Sequence, residues 1–181
     1  MGTDIHYKFQ KETQEGWVDV DTKYEGYRDY LLFAWLSDVR NEYGPFGLWT
    51  LHPVLPLDNA RGLPSDLKLS KGEYIGDYCQ SWLSADEILE STPPNLEDIS
   101  VVSVDFYKKW DHLSPIPNTE VMPEDDTMIL ADSQSEITDK TTHVRFIRKL
   151  DSAPILKYFI DEVKRLKDLH GNVRFVFGFD C

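Results

Sequence analysis

The chain has few cysteines, no long apolar run and a shortage of basic residues. Only Cys79 and Cys181 occur among 181 residues, so we expect no disulfide framework and predict a reducing, cytoplasmic setting. No apolar stretch approaches the roughly 18 residues that a membrane helix needs. Asp4, His6 and Lys8 interrupt the start of the chain, which argues against a signal peptide. We therefore expect no membrane partner.

The sequence also lacks the short motifs of common enzymes. It has no GxSxG, no HExxH, no paired CxxC and no DxDxDG loop, and neither GxxxxGK[ST] nor GxGxxG occurs. These absences remove the standard signatures of nucleophilic, metal and phosphate-loop chemistry. They favour a protein that is not an enzyme and that carries no cofactor.

Negative charge dominates the middle of the chain. The net charge is −13, and residues 86–140 contribute fourteen acidic and three basic residues, a net −11. Nucleic-acid binders show basic stripes, so direct binding of nucleic acid is not expected. The acidic middle is either a solvated loop region or a surface that mimics DNA or docks on a basic partner.

Composition and pattern predict one folded domain over residues 1–181. Hydrophobic residues make up 41% of the chain and aromatic residues 13%. Alternation over residues 4–10 and 17–21 predicts an antiparallel hairpin. Helical spacing over residues 29–43 predicts a helix that Asp29 caps and that Gly44-Pro45 end.

The sequence of the middle of the chain predicts long ordered loops with short helices and strands. Residues 44–75 are rich in Gly and Pro and form a long excursion. Ser84 and Glu87 form a capping box for a short helix through Glu90. Residues 99–107 are strand-like, and the acidic region at 111–140 is predicted to be a loop with one weak strand at 128–130.

The last third predicts a strand–helix–strand unit. His143–Arg148 alternates as a strand, and Asp151 or Ser152 caps a helix with Pro154 in its first turn. One face of this helix carries an apolar stripe that is predicted to be buried. The helix ends at Gly171, and a strand over 173–179 follows. A right-handed crossover predicts that these two strands are parallel in one sheet. The predicted stripe consists of Ile155, Phe159, Val163 and Leu166.

The predicted fold class is therefore α+β, with a mixed sheet that holds the first and last strands as neighbours. Residues two apart on a strand share a face, so Asp4 and His6 point the same way, as do Arg174 and Gly178. Polar groups on core-forming strands must find partners. The predicted ligand-binding residues are Asp4, His6, Arg28, Arg40, Trp82, Arg174 and Asp180.

Two chemistries are open for these residues. Asp4 and His6 form a metal pair if Asp180 or His143 supplies a third ligand, or else they form a structural hydrogen-bond network. If the scattered arginines and aromatic rings meet at one place in the fold, they can bind a nucleotide. The alternative is that each Arg makes an ordinary ion pair at the surface or at a helix end. The residues considered for a nucleotide are Arg28, Arg40, Arg61, Arg174, Trp35, Trp49 and Trp82.

Several short motifs resemble an uncharacterised protein family that is widespread in bacteriophage genomes and prophages. The segments that carry the resemblance are the opening MGxDIH, residues 28–34, residues 61–64, residues 81–89 and the closing VRxVFxFD. Members of that family carry a His shortly before the Ser-Trp step, whereas residues 77–80 here have none. The resemblance implies a phage origin, a host-cytoplasm setting and an accessory role.

Three classes of function are therefore expected. The first is a phage-encoded accessory protein that binds a host factor or a small nucleotide-like ligand, to counteract host defence. The second is a small metal-dependent hydrolase that uses Asp4, His6 and Asp180. The third is an acidic inhibitor that mimics DNA. A homo-oligomer is open in each case.

Overall fold

The described residues form two β-sheets and four α-helices, which confirms the α+β prediction. The computed structural model describes residues 2–41, 54–57, 61–114, 116–117 and 119–180. The strands in these ranges are Asp4–Thr13 (β1), Gly16–Val20 (β2), Tyr78–Ser84 (β3), Asn95–Ser103 (β4), Leu130–Ala131 (β5), His143–Asp151 (β6) and Val173–Asp180 (β7). The α-helices are Tyr30–Ser37 (α1), Ala85–Glu90 (α2), Val104–Lys109 (α3) and Ala153–His170 (α4), and a 3₁₀ helix spans Gln134–Glu136.

The first sheet has the strand order β2-β1-β7-β3. Every neighbouring pair in it is antiparallel. The first and last strands are neighbours, as predicted, with Asp4 opposite Asp180 and Lys11 opposite Val173. The prediction that this sheet is mixed is wrong, because it contains only antiparallel pairs. The predicted hairpin is also present as β1 and β2.

The second sheet has the order β4-β6-β5 and is the mixed one. Its β4–β6 pair is antiparallel and its β5–β6 pair is parallel. The C-terminal unit β6-α4-β7 is present, but the prediction that its two strands lie in one sheet is wrong. Both edges of β6 are occupied by β4 and β5, and both edges of β7 by β1 and β3, so the two strands cannot pair.

Helix α1 is capped as predicted but ends early. The Asp29 side chain accepts hydrogen bonds from the backbone N–H groups of Leu31 and Leu32. The helix stops at Ser37 because Asp38 adopts a left-handed conformation with φ 62°, and its N–H donates to the Ala34 carbonyl. The predicted stop at Gly44-Pro45 lies outside the described residues.

Helix α4 begins and ends as predicted, but its buried stripe is shifted at the start. Ser152 is the N-cap residue, although its side chain makes no capping hydrogen bond, and Gly171 ends the helix. The stripe begins at the fully buried Leu156, whereas Ile155 is 38% exposed. The remaining apolar members, Phe159, Val163 and Leu166, are buried as predicted.

Two predicted strands in the middle of the chain differ from the structure. Residues 104–107 belong to α3, because the Ser103 side chain accepts from the Phe106 N–H and starts a helix there. The weak strand predicted at 128–130 is found at Leu130–Ala131. The capping box before α2 is present as predicted.

The long loops are largely irregular. The described parts of the 44–75 excursion, residues 54–57 and 61–75, contain no helix or strand. Most of the described acidic region is also irregular, although Ile116 and Ala131 are buried and anchor it.

Candidate functional site

Strand alternation gives the first sheet one apolar and one polar face. Phe175, Phe177 and Phe179 of β7 belong to the apolar core together with α1 and α4. The residues between them face the other way. The register adds their partners from β1, β2 and β3 to this polar face, which comprises Asp4, His6, Lys8, Gln10, Trp17, Asp19, Trp82, Arg174, Val176, Gly178 and Asp180.

A segment of residues 61–77, which we name the strap, contacts the polar face. A side chain at Gly178 would meet the Ile75 carbonyl oxygen at 2.2 Å, so β7 needs glycine where the strap crosses it. Gly76 has φ +61°, and a side chain there would meet the backbone nitrogen of Phe179 at 2.4 Å, so glycine is needed at this position too. The Asp77 N–H then donates to the Phe179 carbonyl at 3.0 Å and leads the chain into β3.

The first polar cluster lies where β1 begins and β7 ends. The Arg28 guanidinium donates to both carboxylate oxygens of Asp4, from Nε at 2.5 Å and Nη2 at 2.8 Å. This pairing holds the pKa of Asp4 below its ordinary value. His6 Nε2 lies 2.9 Å from Asp180 Oδ2, and Tyr74 of the strap packs edge-on against the imidazole with ring centroids 4.9 Å apart.

This cluster is a hydrogen-bond network among residues that the sequence singled out. Arg40 adjoins it, because its Nε donates to Thr3 Oγ1 at 2.9 Å. The described residues include no group of three His, Cys, Asp or Glu side chains arranged to hold a metal ion. Both oxygens of Asp4 face Arg28, and His143, the other considered ligand, lies in the second sheet.

The second cluster surrounds Arg174, about 20 Å along β7 from Asp180 at the usual rise per residue. The Arg174 side chain is only 4% exposed. Its Nε donates to Gln10 Oε1 at 3.0 Å and its Nη1 to Asp66 Oδ1 of the strap at 2.9 Å. Its Nη2 is buried and has no hydrogen-bond partner in the part of the chain that the structure describes. A buried guanidinium with an unused donor is costly and unusual.

Aromatic rings flank this guanidinium. The Arg174 Cζ lies 4.3 Å from the centroid of the Trp17 ring and 6.0 Å from that of Trp82. Arg61 of the strap lies over Trp82 at 5.2 Å and donates to both carboxylate oxygens of Glu87. The Arg61 pairing lowers the pKa of Glu87 to about 2. Cations and indoles therefore alternate across the edge of the sheet.

Lys8 connects the strap to the polar face between the two clusters. Its Nζ donates to Asp19 at 2.5 Å and to Glu73 of the strap at 2.6 Å. Burial opposes the charged form, but these two hydrogen bonds prevail and raise the pKa of Lys8. The same lysine lowers the pKa of Glu73.

The structure thus divides the predicted ligand-binding residues between two clusters. Asp4, His6, Arg28 and Asp180 converge, with Arg40 adjacent, while Trp82 and Arg174 lie in the second cluster. Of the other residues considered for a nucleotide, Arg61 belongs to the second cluster, Trp35 is buried in the core, and Trp49 lies outside the described residues. Sequence reasoning missed Gln10, Trp17 and Asp66. Alternation along β1 and β2 places Gln10 and Trp17 on this face, but no local pattern points to Asp66.

Several carboxylates of the acidic region have partners of their own. Glu124 and Asp132 both accept from Arg145 of β6. Asp111 and Asp125 accept from the backbone of their own turns. Hydrogen bonds from the Ser114 hydroxyl and the turn backbone lower the pKa of Asp111 to about 2.

Comparison with known proteins adds no relative. No protein-family model, curated protein or solved structure matches this chain. No helix in the described ranges is long and apolar enough to cross a membrane.

Proposed function

We propose that this protein binds a small nucleotide-like ligand and is not an enzyme. The observation that carries the proposal is the guanidinium of Arg174, which is buried between two indoles with Nη2 unpaired. An arginine fork suits the oxygens of a phosphate group, and indoles suit a planar base. Both requirements of a nucleotide meet at one end of the polar face.

The ligand contacts follow from the geometry. The phosphate group accepts from the two terminal nitrogens of Arg174, because Nε is already held by Gln10. Trp17 and Trp82 are each partly exposed, and an indole ring suits stacking with a planar base. In the host setting that the phage resemblance implies, we propose that the protein sequesters a small nucleotide signal and so counteracts host defence.

Isothermal titration calorimetry with adenosine monophosphate tests the proposal. We expect one binding site per chain in the wild type, and weaker binding of adenosine and of inorganic phosphate, since each supplies only half of the contacts. The variant Arg174→Lys keeps the charge but loses the planar fork, and we expect it to bind at least tenfold more weakly.

A matched variant controls for general effects. Arg145→Lys changes an arginine of the second sheet that also pairs with carboxylates, and we expect unchanged binding. Because Arg174 is buried, a second variant, Trp17→Leu, removes the stacking partner at an edge strand and keeps the guanidinium. The proposal fails if neither the wild type nor a variant without the Asp66 carboxylate binds any of these probes. It also fails if both site variants fold and bind adenosine monophosphate like the wild type.

A further inference from the structure

We infer that Asp66 of the strap is an internal anion that occupies part of the phosphate site, so that the ligand binds by displacing it. This inference rests on the proposed function and adds how that site is regulated. Among the described residues, Asp66 is the only carboxylate that contacts Arg174, with Oδ1 2.9 Å from Nη1. Asp66 Oδ1 therefore occupies the position that one oxygen of an incoming anion would take beside Nη1.

The hydrogen bonding of the guanidinium is incomplete with Asp66 in place. Asp66 engages Nη1, Gln10 engages Nε, and Nη2 keeps no partner among the described residues. A phosphate group has three oxygens with which to accept from both Nη1 and Nη2. An external phosphate thus satisfies one buried donor more than Asp66 does, and this difference favours exchange.

The exposure of the two partners is unequal. The Asp66 side chain is 53% exposed, whereas that of Arg174 is 4% exposed. A half-exposed carboxylate regains water easily when it leaves, but a buried guanidinium is costly without an anion beside it. The release of Asp66 therefore costs little once another anion takes its place.

The strap allows Asp66 to move without unfolding the sheet. Gly62 and Gly72 lie on either side of Asp66, and both have positive φ with open space around them. The strap is held beyond this stretch by Arg61 on Glu87 and by Glu73 on Lys8. Residues 62–72 can thus swing between two fixed ends, as hinged loops over binding sites do.

Competition by Asp66 reduces the apparent affinity to the intrinsic affinity multiplied by the fraction of molecules whose site is open. The variant Asp66→Asn removes the anion and keeps the shape, so we expect it to bind adenosine monophosphate at least fivefold more tightly than the wild type. Glu73→Gln makes the same change of charge on the strap, away from Arg174, and we expect less than a twofold change. Calorimetry of the three proteins at one salt concentration measures both effects.

The outcomes separate this inference from the proposed function. If the wild type binds adenosine monophosphate through Arg174 and Asp66→Asn binds it no more tightly than the wild type, the inference is wrong and the proposed function is supported. Equal tightening in Asp66→Asn and Glu73→Gln also overturns the inference, because it reveals a general charge effect. If neither the wild type nor Asp66→Asn binds adenosine monophosphate, both fall. Binding that appears only in Asp66→Asn supports both.

Discussion

The two faces of the four-stranded sheet are covered in opposite ways. On one face, Phe175, Phe177 and Phe179 form a row of buried rings with neighbouring centroids 5.3 and 5.9 Å apart. On the other, alternate residues of the same strand meet a strap that is attached through ion pairs and close backbone contacts. Apolar burial supplies most of the stability of a fold, so the apolar face holds the sheet.

The polar face has a different physical character. Ion pairs with an exposed partner contribute little net stability, and Glu73 and Asp66 are both partly exposed. The strap is therefore attached more weakly than the helices on the opposite face. Residues 62–72 of the strap can therefore move away from the sheet while the fold persists. A helix packed on phenylalanine rings cannot do so.

The largest expected effect comes from the apolar face. Phe177→Ala removes a ring that is 0% exposed, and we expect a loss of about 3–5 kcal/mol in the free energy of unfolding. Urea denaturation measures this loss. A loss below about 1 kcal/mol would contradict the assignment of this face as the core.

The second-largest expected loss of stability comes from the point where the strap crosses β7. Gly178→Ala places a methyl group against the Ile75 carbonyl, and we expect a loss of about 1–3 kcal/mol. Trypsin should also cut faster at Lys68 and Lys71 of the strap, because the strap is pushed away. Cleavage at Lys164 of α4 is the internal control, and unchanged cleavage of the strap would show that it does not depend on this contact.

The buried carboxylate of Glu162, in a helix that packs on the apolar face, predicts how the stability of the protein depends on pH. Glu162 is 5% exposed at its side chain and pairs with Arg165. Hydrogen bonding to Arg165, and then to Lys23 N–H and the Thr22 hydroxyl, lowers its pKa to about 2. A lowered pKa gives stability that is present above the unfolded value near 4.5 and is lost as the pH falls toward 2.

We therefore expect Glu162→Gln to lose about 2 kcal/mol at pH 7, and to lose less than the wild type between pH 5 and pH 2. Denaturation with urea across this range measures the difference. Glu90→Gln, at an exposed helix residue, is the control. Parallel pH curves for Glu162→Gln and the wild type would contradict the prediction.

The smallest expected effect belongs to the first cluster on the polar face. His6→Ala removes the bond to Asp180 and the contact with Tyr74, and we expect a loss of about 1 kcal/mol. His170→Ala, at the end of α4, should cost less. The His112 ring packs against Tyr107 and Trp110, so His170 is a better control than His112. Equal melting temperatures for His6→Ala and His170→Ala would remove any structural role for the His6–Asp180 pair.

Local patterns predicted the elements of this fold better than their arrangement. Capping residues and periodicity located α1, α2, α4 and the terminal strands. The separation of β6 from β7 depends on which strands occupy their edges, and no pattern within the unit contains that information. The same limit applies to the site. Arg174 and Trp82 were found from residue type, whereas Asp66 reaches Arg174 only through the path of the strap, 108 residues away in sequence.

Hydrogen–deuterium exchange with and without saturating adenosine monophosphate tests the central claim most directly. That claim is that the ligand takes the place of the strap at Arg174. We predict that peptides covering residues 63–72 exchange faster when the ligand is bound, while those of β7 stay protected. Unchanged or slower exchange of residues 63–72 in the bound state would contradict the account, because it would mean that the strap remains on, or closes over, the polar face.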